Sequence, residues 1–322
     1  MSASNSPIRP ILSMAVDVRS DADREKFLQG LDNLVHEDEA VRIETDSSNG
    51  RIILSGMSES HLRGICFRVM GEHNVPVALS KPRVMCLETI RAHSVGEGRY
   101  LRQTGGSGNY GHVILRIQPL ERGRGFEFAH NVEWVGIPER YLRPIERGIR
   151  EALHRGILAG HEIVDVKATL IGGSHHAKDS NETAFQIAAS IAFQEAARKA
   201  SPAILEPLMS VEVVVPEKYV GAVMGDLNRR GGRCEGIEDR PWAQAVRAVA
   251  PLAALIGYAA ELSSITQGFG ESSMELARYE LAHRDGWHGD EEAGTPVLNP
   301  RGPSSDLGLA AASAEADFEE SA

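Results

Sequence analysis

The stretch Ile11-Leu-Ser-Met-Ala-Val-Asp-Val18 places an apolar side chain at nearly every second position, which predicts a β-strand. Ser20 and Asp21 follow as candidate N-caps for a helix over residues 22–35, where apolar side chains recur at helical spacing. Four more elements complete the segment: strands at residues 41–45 and 51–55, a helix at 58–72 and a strand at 75–79. The resulting order, βαββαβ, is that of the ferredoxin-like fold.

The last third of the chain repeats this order with unrelated residues. It begins with the apolar run Met209-Ser-Val-Glu-Val-Val-Val215, which Pro216 ends. The elements that follow are a helix at 219–227, strands at 233–239 and 243–249, a helix at 252–262 and a strand at 273–281. We therefore expect a second ferredoxin-like unit.

The middle third has a different order of elements. Its predicted strands cover residues 83–92, 112–120, 126–132 and 163–171. One helix opens at Pro138 and ends at Gly156, and the other runs from the capping-box-like Asp179-Ser-Asn-Glu182 to Ala200. Small residues along the second helix indicate close backbone packing. The fold class is α+β, with two ferredoxin-like βαββαβ domains flanking a central α/β domain.

These patterns divide the chain into five parts. They are a flexible N-terminus (1–9), a βαββαβ domain (10–81), a central domain with two tip loops (82–207), a second βαββαβ domain (208–285) and an acidic tail (286–322). The tail is predicted to be disordered, because its composition cannot bury enough apolar surface to offset the entropy of ordering.

The charge of the chain limits how it could bind a polyanion. The net charge is −11, and the residues from Trp287 onward carry −7 of it, which leaves −4 for the remainder. A nearly balanced body excludes a broad basic stripe as the binding device, so any RNA contact must be local. The absence of an apolar run of about 18 residues, of a signal sequence and of paired cysteines predicts a reduced cytoplasmic protein without a membrane anchor.

A glycine-rich stretch over residues 103–111 is the first candidate site. It contains the G-x-G-x-x-G pattern of dinucleotide sites, but a strand follows it where such a site needs a helix N-terminus. Two interpretations remain. The glycines serve a wide hairpin turn, or they let a loop lie close to a nucleic-acid backbone. In the second case Ser107, Gly108, Asn109 and Tyr110 contact RNA, with Asn109 donating hydrogen bonds and Tyr110 stacking or packing.

A histidine-containing loop over residues 172–181 is the second candidate site. Ser174, His175, His176 and Lys178 form a tip that can carry positive charge and bind phosphate or ribose oxygens. The alternatives are solvated histidines without a role, and a metal site, for which the loop lacks a supporting ligand elsewhere. No metal is therefore expected.

Two smaller features have competing interpretations. Asp179 is better placed to cap the following helix than to act as a general base, since no nucleophile or metal accompanies it. Arg229, Arg230 and Arg233 form a basic cluster after a helix, which is either a solvated turn or a contact with phosphate groups. We expect no catalytic residue and no cofactor site.

Taken together, a series of motifs in one order resembles elongation factor G. They are Ile53-Leu-Ser-Gly-Met57, Gln103-Thr-Gly-Gly-Ser-Gly-Asn-Tyr-Gly-His112, Gly160-His-Glu-Ile-Val-Asp-Val-Lys167, Leu205-Glu-Pro207, Val211-Glu-Val-Val-Val-Pro216, Gly225-Asp-Leu-Asn228, Pro251-Leu252 and Thr266-Gln-Gly268. The resemblance implies domains III, IV and V of that translocase, with a central domain like domain 2 of ribosomal protein S5. It also implies the ribosome, tRNA, mRNA and ribosomal RNA as partners.

The resemblance assigns roles to both loops and exposes departures from the family. His176 falls where the family has its tip histidine, and Asn109 lies where many members have Gln. The stretch Ser58-Glu-Ser-His-Leu-Arg63 departs from the family's Gly-Glu-Leu-His-Leu-Glu, and Phe269-Gly270 stands where Arg-Ala is common. Motifs for binding GTP are absent, so GTP and magnesium would belong to a domain outside this sequence.

These observations favour a non-catalytic module that contacts ribosomes and RNA. Two alternatives are the trans-acting half of a split translational GTPase and a decayed paralogue that no longer binds ribosomes.

Overall fold

The structure is a computed structural model that describes residues 9–35, 38, 40–46, 50–104, 107–130 and 136–282. The side chains at residues 103, 104 and 107 are not described. The predicted acidic tail and nearly all of the predicted flexible N-terminus lie outside these residues. Within the described ranges, no helix has both the length and the apolar character needed to cross a bilayer.

The first domain has the predicted βαββαβ order. Its elements are β1 (Leu12–Val18), α1 (Asp21–Val35), β2 (Arg42–Thr45), β3 (Ile52–Gly56), α2 (Glu59–His73) and β4 (Val77–Leu79). The strands pair antiparallel in the order β2-β3-β1-β4, which confirms the ferredoxin-like arrangement. The Ser58 hydroxyl caps α2 by accepting the N–H of His61 at 3.2 Å, and Asn74 ends it in the left-handed conformation.

The last domain repeats this topology, as predicted. Its elements are β11 (Pro202–Val215), α5 (Val220–Arg229), β12 (Arg233–Arg240), β13 (Ala243–Pro251), α6 (Leu252–Leu255), α7 (Tyr258–Thr266) and β14 (Glu271–Leu281). The sheet order is β12-β13-β11-β14. The helix predicted over residues 252–262 is two helices, because the chain turns at Gly257, where φ is +74°.

The central domain is a four-stranded sheet covered by two helices. Its elements are β7 (Ser94–Thr104), β8 (Ser107–Pro119), β9 (Phe126–His130), α3 (Leu142–Arg155), β10 (Val166–Ser174) and α4 (Glu182–Lys199). The sheet order is β7-β8-β10-β9, with β9 parallel to β10 and the other pairs antiparallel. A single 3-10 turn, Glu139–Tyr141, leads from Pro138 into α3, and Gly156 ends that helix as predicted.

Two predictions about the domain junctions are wrong. The strand expected over residues 83–92 is split into β5 (Arg83–Val84) and β6 (Leu87–Ile90), which extend the outer sheets by pairing with β1 and β11. β11 also begins at Pro202 and continues through Pro207, so it crosses the domain boundary that the sequence predicts after residue 207. Pro207 lies beyond the β6 pairing and before the β13 pairing, where a missing N–H is least costly to the sheet.

A buried carboxylate fastens the central domain to this junction. Glu88 is fully buried and accepts backbone N–H groups from Ile157 (2.6 Å), Leu158 (3.0 Å), Ala159 (2.8 Å) and His161 (3.1 Å). Four donors satisfy both carboxylate oxygens, so the loop after α3 is held against β6.

The packing of α4 explains why its residues are small. Gly98 of β7 lies so close to this helix that an added Cβ would come within 2.0 Å of the Ala188 carbonyl oxygen. The same measure for Gly111 of β8 is 2.4 Å to the Ala184 carbonyl oxygen. The β7–β8 hairpin and α4 therefore meet backbone to backbone, as the small residues predicted.

Candidate nucleic-acid interface

The tip of the central domain is built from the end of the β7–β8 hairpin and the loop between β10 and α4. The Tyr110 N–H donates to the Asp179 carbonyl oxygen at 2.7 Å, and the Gly108 N–H donates to Asp179 Oδ1 at 3.1 Å. The Asn181 side-chain amide also donates to Asn109 Oδ1. These bonds bring together the two stretches that the sequence singled out.

The described parts of the glycine-rich stretch, residues 103–104 and 107–111, belong to two paired strands. Gln103 pairs with Gly108 and Thr104 pairs with Ser107 across the two strands. Gly108 lies against Asp179, with 3.0 Å between an added Cβ and the Asp179 Cγ. The geometry therefore supports the hairpin interpretation of the glycines. The predicted contact by the Ser107 side chain lies outside the described residues.

Tyr110 is held by the domain itself. Its hydroxyl lies 2.7 Å from Ser174 Oγ, and His112 Nδ1 lies 2.9 Å from the same oxygen. His112 Nε2 contacts Glu97 Oε1 at 3.0 Å. Arg99 and then His112 hydrogen-bond to Glu97 and lower its pKa. The Tyr110 hydroxyl is therefore bonded within the domain, which is consistent with packing, and stacking of its ring on a base stays a prediction.

Asp179 does not cap α4, which corrects the sequence interpretation. The N-cap is Asn181, whose Oδ1 accepts the Ala184 N–H at 2.8 Å. Asp179 instead contacts His176 Nδ1 through Oδ2 at 2.8 Å, while its other oxygen binds the hairpin at Gly108. A capping position two residues later frees this carboxylate to orient the histidine.

The histidine loop closes on itself and leaves its apex exposed. The His176 N–H donates to Ser180 Oγ at 2.8 Å, and the Ser180 N–H donates to the His176 carbonyl oxygen at 3.0 Å. His175, His176 and Lys178 are exposed, with 57% of the His176 side chain accessible. The loop thus presents two imidazoles and an ammonium group on a fixed backbone.

Two residues that precede α3 also hold the histidine loop in place. His175 Nδ1 contacts the Gly136 carbonyl oxygen at 2.9 Å, and the Tyr141 hydroxyl donates to the Ser180 carbonyl oxygen at 3.0 Å. Sequence reasoning missed Asp179, Ser180 and Tyr141 as supports of the tip. The short spacing from His176 to Asp179 was the one signal that could have indicated the pair.

The three arginines of the last domain differ in their exposure and in their hydrogen bonds within the domain. Arg230 donates to Asp226 Oδ2 at 2.7 Å and to the Ala254 carbonyl oxygen at 2.6 Å, so it serves the domain's own structure. Arg229 also binds Asp226 but keeps 68% of its side chain exposed, and Arg233 is exposed. Burial tends to raise the pKa of Asp226, but the bonds from Arg230 and Arg229 outweigh it and lower that pKa.

A metal site at either loop would need several ligating side chains close together. Across the described ranges, the structure contains no group of three or more His, Cys, Asp or Glu side chains that could hold an ion. Anion contact by His175 and His176 stays a prediction.

Three family models match the chain in the order of its domains. Residues 8–81 match Elongation Factor G, domain III; residues 82–201 match Elongation factor G, domain IV; and residues 203–286 match Elongation factor G C-terminus.

A solved structure is similar over the same region. It is a crystal structure of a protein from Thermus thermophilus, with a TM-score of 0.70 and 35% sequence identity to this chain. The match covers 86% of this chain and 41% of that protein, so the chain spans less than half of its length.

Proposed function

Because this chain belongs to the elongation factor G family, of which it carries domains III, IV and V, we propose that it is a ribosome-contacting module of a translation factor. In this proposal the tip of domain IV contacts tRNA and mRNA, and domain V contacts ribosomal RNA. The module acts in the cytoplasm, where translating ribosomes are found.

The observation that carries the proposal is the exposed but internally fixed loop at the domain IV tip. His176 and Lys178 point polar groups outward, while Ser180 and Asp179 hold the backbone and the His176 ring. Imidazole and ammonium groups are suitable donors to phosphate oxygens. Because the loop is already ordered, binding loses little conformational entropy.

For domain V, we propose fewer arginines as contacts to RNA than the sequence indicated. Arg229 and Arg233 are exposed and remain candidates for ribosomal RNA phosphates. We do not propose this role for Arg230, because its Nε and Nη1 are hydrogen-bonded within the domain and 17% of its side chain is exposed.

We propose no catalytic role for this chain. The three matched domains are not the GTPase domain of the family, so GTP and magnesium would be bound by a separate domain. In the trans-acting alternative, a separately encoded GTPase half supplies that domain. Adding this chain to such a half should then stimulate ribosome-dependent GTP turnover.

Co-sedimentation of the full chain with purified ribosomes tests the main proposal. We expect the wild-type chain to pellet with ribosomes and His176→Ala to bind roughly tenfold more weakly, as for the loss of a hydrogen bond to a charged group. His93→Ala is the control, because His93 is exposed on the same domain but lies outside the tip.

Two results would contradict the proposal. Equal binding by His176→Ala and wild type would remove the tip from the interface. Failure of the wild-type chain to pellet would favour a decayed paralogue. The departure at Ser58–Arg63 supports that alternative, although in the structure Ser58 caps α2 and Arg63 pairs with Glu59 at 2.8 Å.

A further inference from the structure

The solvent face of α3 carries a short row of arginines. Arg140, in the turn before the helix, is followed by Arg143 and Arg147 at spacings of three and four residues. All three are exposed, while Ile145 and Ile149 are fully buried on the opposite side. We call Arg140, Arg143 and Arg147 the arginine face.

Among the described residues, the hydrogen-bond partners of the arginine face are uncharged. Arg140 donates to the Tyr141 hydroxyl at 2.9 Å, and Arg147 donates to Gln186 Oε1 at 2.9 Å; both partners are uncharged. Among the described residues, the structure shows no carboxylate in ion-pair contact with any of the three. Arg150, one turn further on, differs because it pairs with Glu146 at 2.7 Å.

The position of Arg143 does not favour the stability of the helix. Arg143 lies in the first turn of α3, which contains no acidic residue. The N-terminal end of a helix carries a partial positive charge, so a guanidinium group is unfavourable there. An anion at this face would be attracted both by the helix end and by the arginines.

An open groove provides space for such an anion. The groove has a volume of about 850 Å³ and lies between the arginine face and the side chains of Phe128 and His130 on β9. Glu139, Glu146 and Glu182 also line it, and Glu146 is the carboxylate already paired with Arg150.

The arginine face continues from the tip. Gly136 and Tyr141, on either side of Arg140 in the sequence, contact His175 and Ser180 of the histidine loop at 2.9 Å and 3.0 Å. The arginine face therefore begins at Arg140, close to the residues that anchor the histidine loop. Arg143 and Arg147 follow along α3, further from the loop. Each step of three or four residues advances roughly 5 Å along the helix.

We propose that the arginine face binds the phosphates of an RNA strand that runs from the domain IV tip along α3. Guanidinium groups match the geometry of phosphate oxygens, and three of them form the kind of local contact that the near-neutral body allows. This inference rests on the proposed function, because it extends the RNA contact beyond the histidine loop.

The test is a salt titration of RNA binding by the full chain. A fluorescent RNA stem-loop is titrated with wild type and with R143Q/R147Q, and affinity is measured by anisotropy at several salt concentrations. We expect the double variant to make the fall of log K with log salt less steep by about 1.4–1.8, at roughly 0.7–0.9 per lost phosphate contact. Its melting temperature should be unchanged or higher.

A charge-matched variant serves as the control. R63Q/R68Q removes two arginines from α2, the half-buried Arg63 and the exposed Arg68, each from an i,i+4 pair, and should leave the RNA slope unchanged. An equal slope for wild type and R143Q/R147Q overturns the inference, as does the absence of RNA binding by wild type. If R143Q/R147Q weakens ribosome binding without changing the RNA slope, the partner is an acidic protein surface and the RNA assignment is wrong.

The arginine face and the histidine loop are tested by different variants and different measurements. His176→Ala leaves the arginine face intact and is scored by ribosome co-sedimentation. If His176→Ala shows the expected loss of ribosome binding and R143Q/R147Q does not change the RNA slope, only the inference about the arginine face is rejected.

Discussion

At the scale of single residues, Asp179 is the support on which the tip histidine depends. Replacing it in Asp179→Asn keeps an oxygen for the Gly108 N–H but removes the negative charge beside His176 Nδ1. We expect ribosome affinity to fall roughly three- to tenfold, in proportion to about 1 kcal/mol for a hydrogen-bonded partner, with little change in melting temperature. Asp17→Asn, which removes an exposed carboxylate paired with Arg51, should not affect binding. If the melting temperature and the ribosome affinity of Asp179→Asn fall together, the role of Asp179 is structural.

His161 gives the molecule a predictable response to pH. Burial lowers its pKa below the usual value, and the nearby Glu88 only partly offsets this. The unfolded chain then binds a proton more readily than the folded one, so stability is lost as pH falls below about 6.5. Urea unfolding between pH 5.5 and 7.5 should show this loss in wild type and a flatter profile in His161→Gln. The exposed His93→Gln should keep the wild-type profile; an identical slope in all three would show that His161 is not the cause.

At the scale of secondary-structure elements, the contact between β7 and α4 is the most sensitive to added volume. In Gly98→Ala the new Cβ would meet the Ala188 carbonyl oxygen and the Ala192 nitrogen, and neither can move as a side chain could. We expect a loss of about 3 kcal/mol in the free energy of unfolding, at the upper end for overpacked sites. Gly64→Ala on α2, where the added Cβ meets nothing within 4 Å, should raise stability by about 0.5–1 kcal/mol. Chemical denaturation of both variants measures the difference, and equal stabilities would disprove the close contact.

The same contact explains which elements the sequence could predict. The strands and helices of the outer domains have regular apolar periods, so their order was predictable and is confirmed. β7 was missed because the positions that approach α4 include Gly96 and Gly98, which leave no apolar alternation to detect. The exposure of the histidine loop followed from its composition. Its supports did not, because the bond from Gly108 to Asp179 joins residues 71 positions apart.

At the scale of the whole molecule, the first and last domains share one hydrophobic core, while the central domain has its own. Leu31 of α1 and Val213 of β11 belong to the same cluster of buried side chains, and Ile149 of α3 belongs to the other. The connection runs through β5, which pairs with β1 and contacts α6. The outer domains should therefore lose stability together.

Hydrogen exchange of Leu31→Ala tests this coupling. The substitution empties a fully buried site and should cost about 2–5 kcal/mol. Because the core is shared, we expect faster exchange in peptides from β11 and β13 as well as from β1 and β3, with less change in α3 and α4. Ile149→Ala, also fully buried, should produce the reverse pattern. If the faster exchange in Leu31→Ala stays within β1–β4, the two outer domains unfold independently and the shared core contributes nothing to their coupling.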